Sequence, residues 1–85
     1  GGEEFAVVMP DTTVQNAAKV LDEIRERFAE IRYPAQPVDL SCTFSCGIAE
    51  FTPNAELKSL TQQADEALYT AKHAGRNRVD WFRPS

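Results

Sequence analysis

Apolar positions along the chain switch between two periods, and each switch marks an element. Phe5-Ala6-Val7-Val8-Met9 is a short continuous apolar run closed by Pro10. With both faces apolar, it predicts an interior strand over residues 5–9. Val14, Ala17, Ala18, Leu21, Ile24, Phe28 and Ile31 then recur at steps of three and four. That spacing predicts a helix over residues 13–32 with one buried stripe. Thr12 and Gln15 form a capping-box pair at its start, and Pro34 and Pro37 stop it. Leu40, Cys42, Phe44, Cys46 and Ile48 alternate with Ser41, Thr43, Ser45 and Gly47, the period of two of a strand over residues 40–48.

Pro53 and Asn54 mark a turn, with Asn54 or a neighbour as cap of a second helix. That helix is expected over residues 56–74, with Leu57, Leu60, Ala64, Ala67, Leu68 and Ala71 facing inward. Gly75 suits the left-handed position that ends a helix. A last strand over residues 78–82 precedes Pro84. The order is β-α-β-α-β, read as an α/β sandwich with both helices against one sheet face. Gly1-Gly2 ahead of the first strand is a hairpin-turn signal, although no earlier strand stands before it.

Composition narrows the picture. Eighty-five residues hold at most one small core, and 42% apolar with 26% charged residues is globular rather than disordered. Nine basic against thirteen acidic residues leave a net charge of −4, the wrong sign for a bulk nucleic-acid binder. No apolar run approaches the roughly 20 residues of a membrane span. Cys42 and Cys46, on one face of an extended strand, would sit about 13 Å apart. That is too far for a disulfide, so two reduced, buried thiols and a cytoplasmic setting are expected.

Two clusters are chemically suggestive. Gly1-Gly2-Glu3-Glu4 sets two flexible residues beside two carboxylates. Glycine lets a ligand approach the backbone. Hard oxygen ligands suit Mg²⁺ shared with substrate phosphates, and a carboxylate can accept a proton from an attacking hydroxyl. On these residues alone, a solvated acidic turn explains them as well. Lys72 and Arg76 lie four apart at the end of the second helix, with His73 and Arg78 nearby. They either complement the helix dipole or clamp phosphate. His73 reads as an exposed helix-end residue, and Asp65 and Glu66 as a solvated face.

Taken together, the motifs resemble the GGDEF family of bacterial diguanylate cyclases. The resemblance rests on Gly1-Gly2-Glu3-Glu4-Phe5 with the strand after it and on Ser45-Cys46-Gly47-Ile48-Ala49. It rests also on Ala64-Asp65-Glu66-Ala67-Leu68-Tyr69-Thr70-Ala71-Lys72 followed by Gly75-Arg76-Asn77-Arg78-Val79. It implies joining of two GTP molecules into cyclic diguanylate with release of two pyrophosphates. Gly1 and Gly2 would form the turn that admits the nucleotide. Glu3 would be a metal ligand and the base or transition-state stabiliser for the 3′-hydroxyl. Glu4 would assist a second metal or hold the geometry, and Lys72 and Arg76 would contact the terminal GTP phosphates. The metal would be Mg²⁺ or Mn²⁺, and two GGDEF domains would meet as a homodimer. A regulatory or sensory domain is expected upstream.

The resemblance covers the C-terminal half of the family domain. It therefore implies an α+β fold with a ferredoxin-like or nucleotidyl-cyclase-like, mostly antiparallel sheet. The expected upstream half would carry a metal-binding Asp, guanine-recognising residues, the hairpin partner strand and the product-inhibition motif. One of its strands would lie between strands 5–9 and 40–48, leaving those two flanking an empty slot. The chain is expected to be a fragment, inactive in isolation. The other reading is a degenerate domain that senses GTP or cyclic diguanylate without turnover.

Overall fold

The computed structural model describes residues 3–34, 38 and 40–83. Strand β1 (Glu3–Met9) leads to helix α1 (Val14–Glu30), strand β2 (Phe44–Glu50), helix α2 (Leu57–His73) and strand β3 (Val79–Trp81). The order β-α-β-α-β and the α+β class are as expected.

The sheet direction is not. All three strands run parallel, in the order β1-β2-β3, where a mostly antiparallel sheet was implied. Each pair of successive strands is joined by a helix that carries the chain back along the sheet, so the next strand starts at the same end. Nor is there an empty slot. β1 pairs β2 directly, from Glu3 opposite Phe44 to Met9 opposite Glu50. The ladder satisfies backbone groups that an open slot would leave bare. In the sheet formed by the described residues β1 lies at the edge and β2 in the centre, whereas the apolar run over 5–9 predicts an interior strand.

The helices cover opposite faces of the sheet, not one. Strand residues alternate sides, and the two sets meet different helices. Phe44, Cys46 and Ile48 pack with Val14, Ala17 and Ala18 of α1, with Val7, Met9, Val79 and Trp81 around them. On the other face Gly47 lies directly under α2. A Cβ there would collide with the backbone of Leu68, 2.6 Å from its Cα, and with the Ala64 carbonyl. Ala64, Ala67 and Ala71 are buried with Leu60 along that side. A glycine facing an alanine stripe brings helix and strand backbones close, which is why α2 sits so near β2. Burying Leu60 fully contributes about 2 kcal/mol.

Several boundaries move for local reasons. Thr13, not Thr12, caps α1, its side chain accepting from the Asn16 N–H at 3.2 Å. Glu56 precedes α2 without a side-chain cap bond, so Asn54 does not serve there. β2 starts at Phe44 because Leu40 pairs antiparallel with Tyr33, through backbone bonds of 2.7 and 2.9 Å. Leu57, expected to face inward, is 73% exposed in the first turn of α2. The α1 stripe is buried only at its start: Ile24 and Ile31 stay about half exposed, beyond the reach of a three-strand sheet.

Candidate functional site

α2 runs back against the strands, so its C-terminal end lies at the end of the sheet where β1 begins. Alternation sends Glu3 and Glu4 to opposite faces. Glu4, opposite Ser45 in register, stands on the α2 side. There Glu4 Oε1 lies 3.2 Å from Lys72 Nζ, and Oε2 accepts a 2.9 Å hydrogen bond from Arg76 Nη1. One carboxylate thus holds two cations, one with each oxygen. The Arg76 bond, followed by that from Lys72, holds the Glu4 carboxyl below its ordinary value of 4.5. The balance of charge is one positive unit in excess, facing solvent.

Arg76 reaches this position through an unusual turn. Gly75, Arg76 and Asn77 have φ of 124°, 61° and 47°, three successive residues on the left-handed side. Gly75 takes the role expected of it, while the two residues after it carry strain that glycine would not. The Arg76 N–H closes onto the Ala71 carbonyl at 3.0 Å. The Asn77 N–H donates to Ser45 Oγ at 3.1 Å, and its Oδ1 accepts from Arg25 Nη1 of α1 at 2.9 Å. Arg78 Nε donates to the Arg76 carbonyl at 3.2 Å.

Of the residues singled out from the sequence, Glu4, Lys72 and Arg76 come together. Glu3 is exposed on the other side of the strand, its N–H paired with the Thr43 carbonyl at 2.9 Å. Gly1 and Gly2 lie outside the described residues. His73 stacks on Tyr69 with ring centroids 4.0 Å apart, while the ion pairs of Glu4 go to Lys72 and Arg76. Asp65 and Glu66 are exposed, as expected. Among the described residues no three His, Cys, Asp or Glu side chains gather as a metal site. Cys46 is buried and Cys42 only half-buried, and both are free, so the expectation of two buried thiols holds for one. No helix among the described residues is long and apolar enough to cross a membrane.

Ser45 and Asn77 stand in the motifs that carry the resemblance but are given no role by the sequence, and Arg25 is not singled out by it. The only local hint was asparagine after Gly-Arg, a residue type that tolerates left-handed backbone. Arg25 lies 52 positions from its partner, and nothing in its neighbourhood marks it.

Comparison with known proteins identifies the family. Residues 1–78 match the profile of the family described as "Diguanylate cyclase, GGDEF domain". The chain is 38% identical over 80 residues to diguanylate cyclase DgcP of Pseudomonas aeruginosa, covering 94% of this chain and 12% of that protein. It is 35% identical over 86 residues to diguanylate cyclase DosC of Escherichia coli K12, covering 100% of this chain and 19% of DosC. With diguanylate cyclase DgcM of the same strain it is 37% identical over 79 residues, 93% of this chain and 18% of DgcM. The chain therefore spans less than a fifth of the length of each of these relatives. A match that starts at the Gly-Gly-Glu-Glu-Phe segment and runs through Lys72, Arg76 and Asn77 places this chain in the GGDEF family.

Proposed function

We propose that the chain supplies the phosphate-binding side of a diguanylate cyclase site that condenses two GTP molecules into cyclic diguanylate and two pyrophosphates. The observation that carries this is the Glu4–Lys72–Arg76 cluster: two cations on one carboxylate, with a positive charge in excess at the protein surface. Lys provides a point charge and Arg a planar donor fork, a pairing suited to a polyphosphate. In-line attack of a 3′-hydroxyl on an α-phosphate expels pyrophosphate, and Lys72 and Arg76 would hold the charge that accumulates on that leaving group.

Glu3 fits a magnesium or manganese ion by its donor chemistry. It is an exposed hard-oxygen ligand next to the cluster in sequence, and such an ion is commonly held by one or two carboxylates together with substrate phosphates. When bound, the metal would neutralise charge developing on the phosphates. Glu3 would also accept the 3′-hydroxyl proton. Glu4, with both oxygens engaged, orients the two cations. Gly1 and Gly2 would admit the nucleotide to the backbone.

Each 3′-hydroxyl must meet the α-phosphate of another GTP, so the reading calls for a second domain of the same kind facing this one, in a cytoplasmic protein with a regulatory domain upstream. The 85 residues alone are expected to make no cyclic diguanylate, because the motifs present do not include the family's guanine pocket or its first metal-binding Asp.

The test is binding of inorganic pyrophosphate and of Mg²⁺-GTP to the chain by calorimetry, compared with K72A and R76A. Each variant is expected to weaken pyrophosphate by about tenfold to a hundredfold, the span of a hydrogen bond to a charged group. Unchanged affinity in both would sink the clamp. In a full-length protein carrying this domain, E3A is expected to abolish cyclic diguanylate synthesis, and surviving turnover would remove Glu3 from its role.

A further inference from the structure

The turn that carries Arg76 is held from three sides. α2 holds it through the Ala71 carbonyl, 3.0 Å from the Arg76 N–H. β2 holds it through Ser45 Oγ, 3.1 Å from the Asn77 N–H. α1, on the far face of the sheet, holds it through Arg25, whose Nη1 donates to Asn77 Oδ1 at 2.9 Å. Arg25 is itself fixed, its Nε donating to Asp22 Oδ1 at 2.7 Å with its side chain only 16% exposed.

Two successive non-glycine residues in left-handed conformation, at φ 61° and 47°, are disfavoured unless their surroundings enforce them. Asparagine tolerates such a backbone better than most residues. That alone explains its backbone at position 77, but not why its side chain is tied to a second helix. Asn77 is the one residue of the turn bonded both to β2 and to α1, and it is the immediate neighbour of Arg76. A turn free to relax would swing the Arg76 guanidinium away from Glu4.

We propose that Asn77, locked between Ser45 and Arg25, is a positioning residue that fixes the direction in which Arg76 presents its guanidinium to a phosphate-bearing ligand. This rests on the clamp reading of Lys72 and Arg76. It adds that α1, which contributes no residue to that cluster, acts on it through Arg25.

N77G is the decisive variant, because glycine accepts the left-handed backbone and deletes only the side-chain lock. Two measurements are made on the full chain. In the first, inorganic pyrophosphate is titrated by calorimetry; N77G is expected to weaken binding about fivefold, the size of one hydrogen bond. In the second, the Arg76 Nη signals are followed by ¹⁵N NMR without ligand. They are expected to be resolved in the wild type, where Glu4 restrains the group, and averaged in N77G. N77D keeps an acceptor for Arg25 and is expected to restore the resolved signals. S45A removes the other anchor and is expected to act as N77G does, with the melting temperature recorded for each variant.

Wild-type affinity together with wild-type Arg76 signals in N77G would overturn the proposal. If the wild type fails to bind pyrophosphate while N77G still averages the Arg76 signals, the clamp reading falls and the positioning role stands. A purely structural role for Asn77 would lower the melting temperature without changing the Arg76 signals of the folded protein, and that result also overturns the proposal.

Discussion

Glu4 and Arg76, 72 positions apart in the chain, meet at 2.9 Å across the start of β1 and the turn after α2. Arg76 first, and Lys72 after it, hold the Glu4 carboxyl below its ordinary 4.5. A depressed folded-state value stabilises the fold above the unfolded value and loses that contribution as pH falls through the folded one. Melting temperature should therefore fall more steeply in the wild type than in E4Q below pH 4.5. Because the group is exposed, the difference should be small and should shrink at about 1 M salt. Parallel curves for the two proteins would show the contact to be idle.

Gly47 leaves no room for a side chain under α2, since the atoms that a Cβ would meet belong to the helix backbone at Ala64 and Leu68. G47A is expected to destabilise the chain by about 3 kcal/mol, the upper end of overpacking costs. Denaturant unfolding measures this directly; a loss below about 1 kcal/mol would mean that α2 can lift off β2 cheaply.

The two cysteines should separate in reactivity. Burial pushes the Cys46 thiol up to about 11, and the thiolate is the reactive form. Alkylation of the folded chain near pH 8 should thus modify the half-buried Cys42 first and Cys46 only on unfolding. Mass spectrometry of the digested product reads this, and rapid labelling of Cys46 would contradict its placement under α1.

Capping chemistry distinguishes neighbouring threonines. T13A should cost about 1 kcal/mol, the usual loss of a side-chain cap, because Thr13 accepts the Asn16 N–H. T12A should be close to neutral. A larger loss from T12A in thermal melts would restore the capping box that the spacing of Thr12 and Gln15 suggested.

What could be read in advance follows from how far each interaction reaches along the chain. Both helices, the ending at Gly75 and the burial of Ala64, Ala67 and Ala71 depend on periodicity and local backbone preference, and these were legible. The Lys72 and Arg76 pair was legible because the two lie four residues apart around the end of α2, although Arg76 belongs to the turn beyond the helix. Strand neighbours are another matter. The run 5–9 is apolar on both faces, which suits an interior strand, yet its register is decided by β2, far along the chain. The sides taken by the helices were also hidden, since only the fit of Gly47 beneath α2 assigns that face. The contacts of Asn77 were hidden because its partners, Ser45 and Arg25, come from separate elements.

The parallel sheet has a kinetic consequence. Among the described residues no strand of the sheet is joined to its neighbour by a hairpin, so β1, β2 and β3 have no local point from which to zip. Glu3 can meet Phe44 only after α1 has been spanned, and Cys46 can meet Val79 only after α2. Both crossings charge their loop-closure entropy before the first ladder bond forms. Since both end on β2, the central strand is the place where the two halves of the chain must find each other, and its side chains are the natural nucleus of folding.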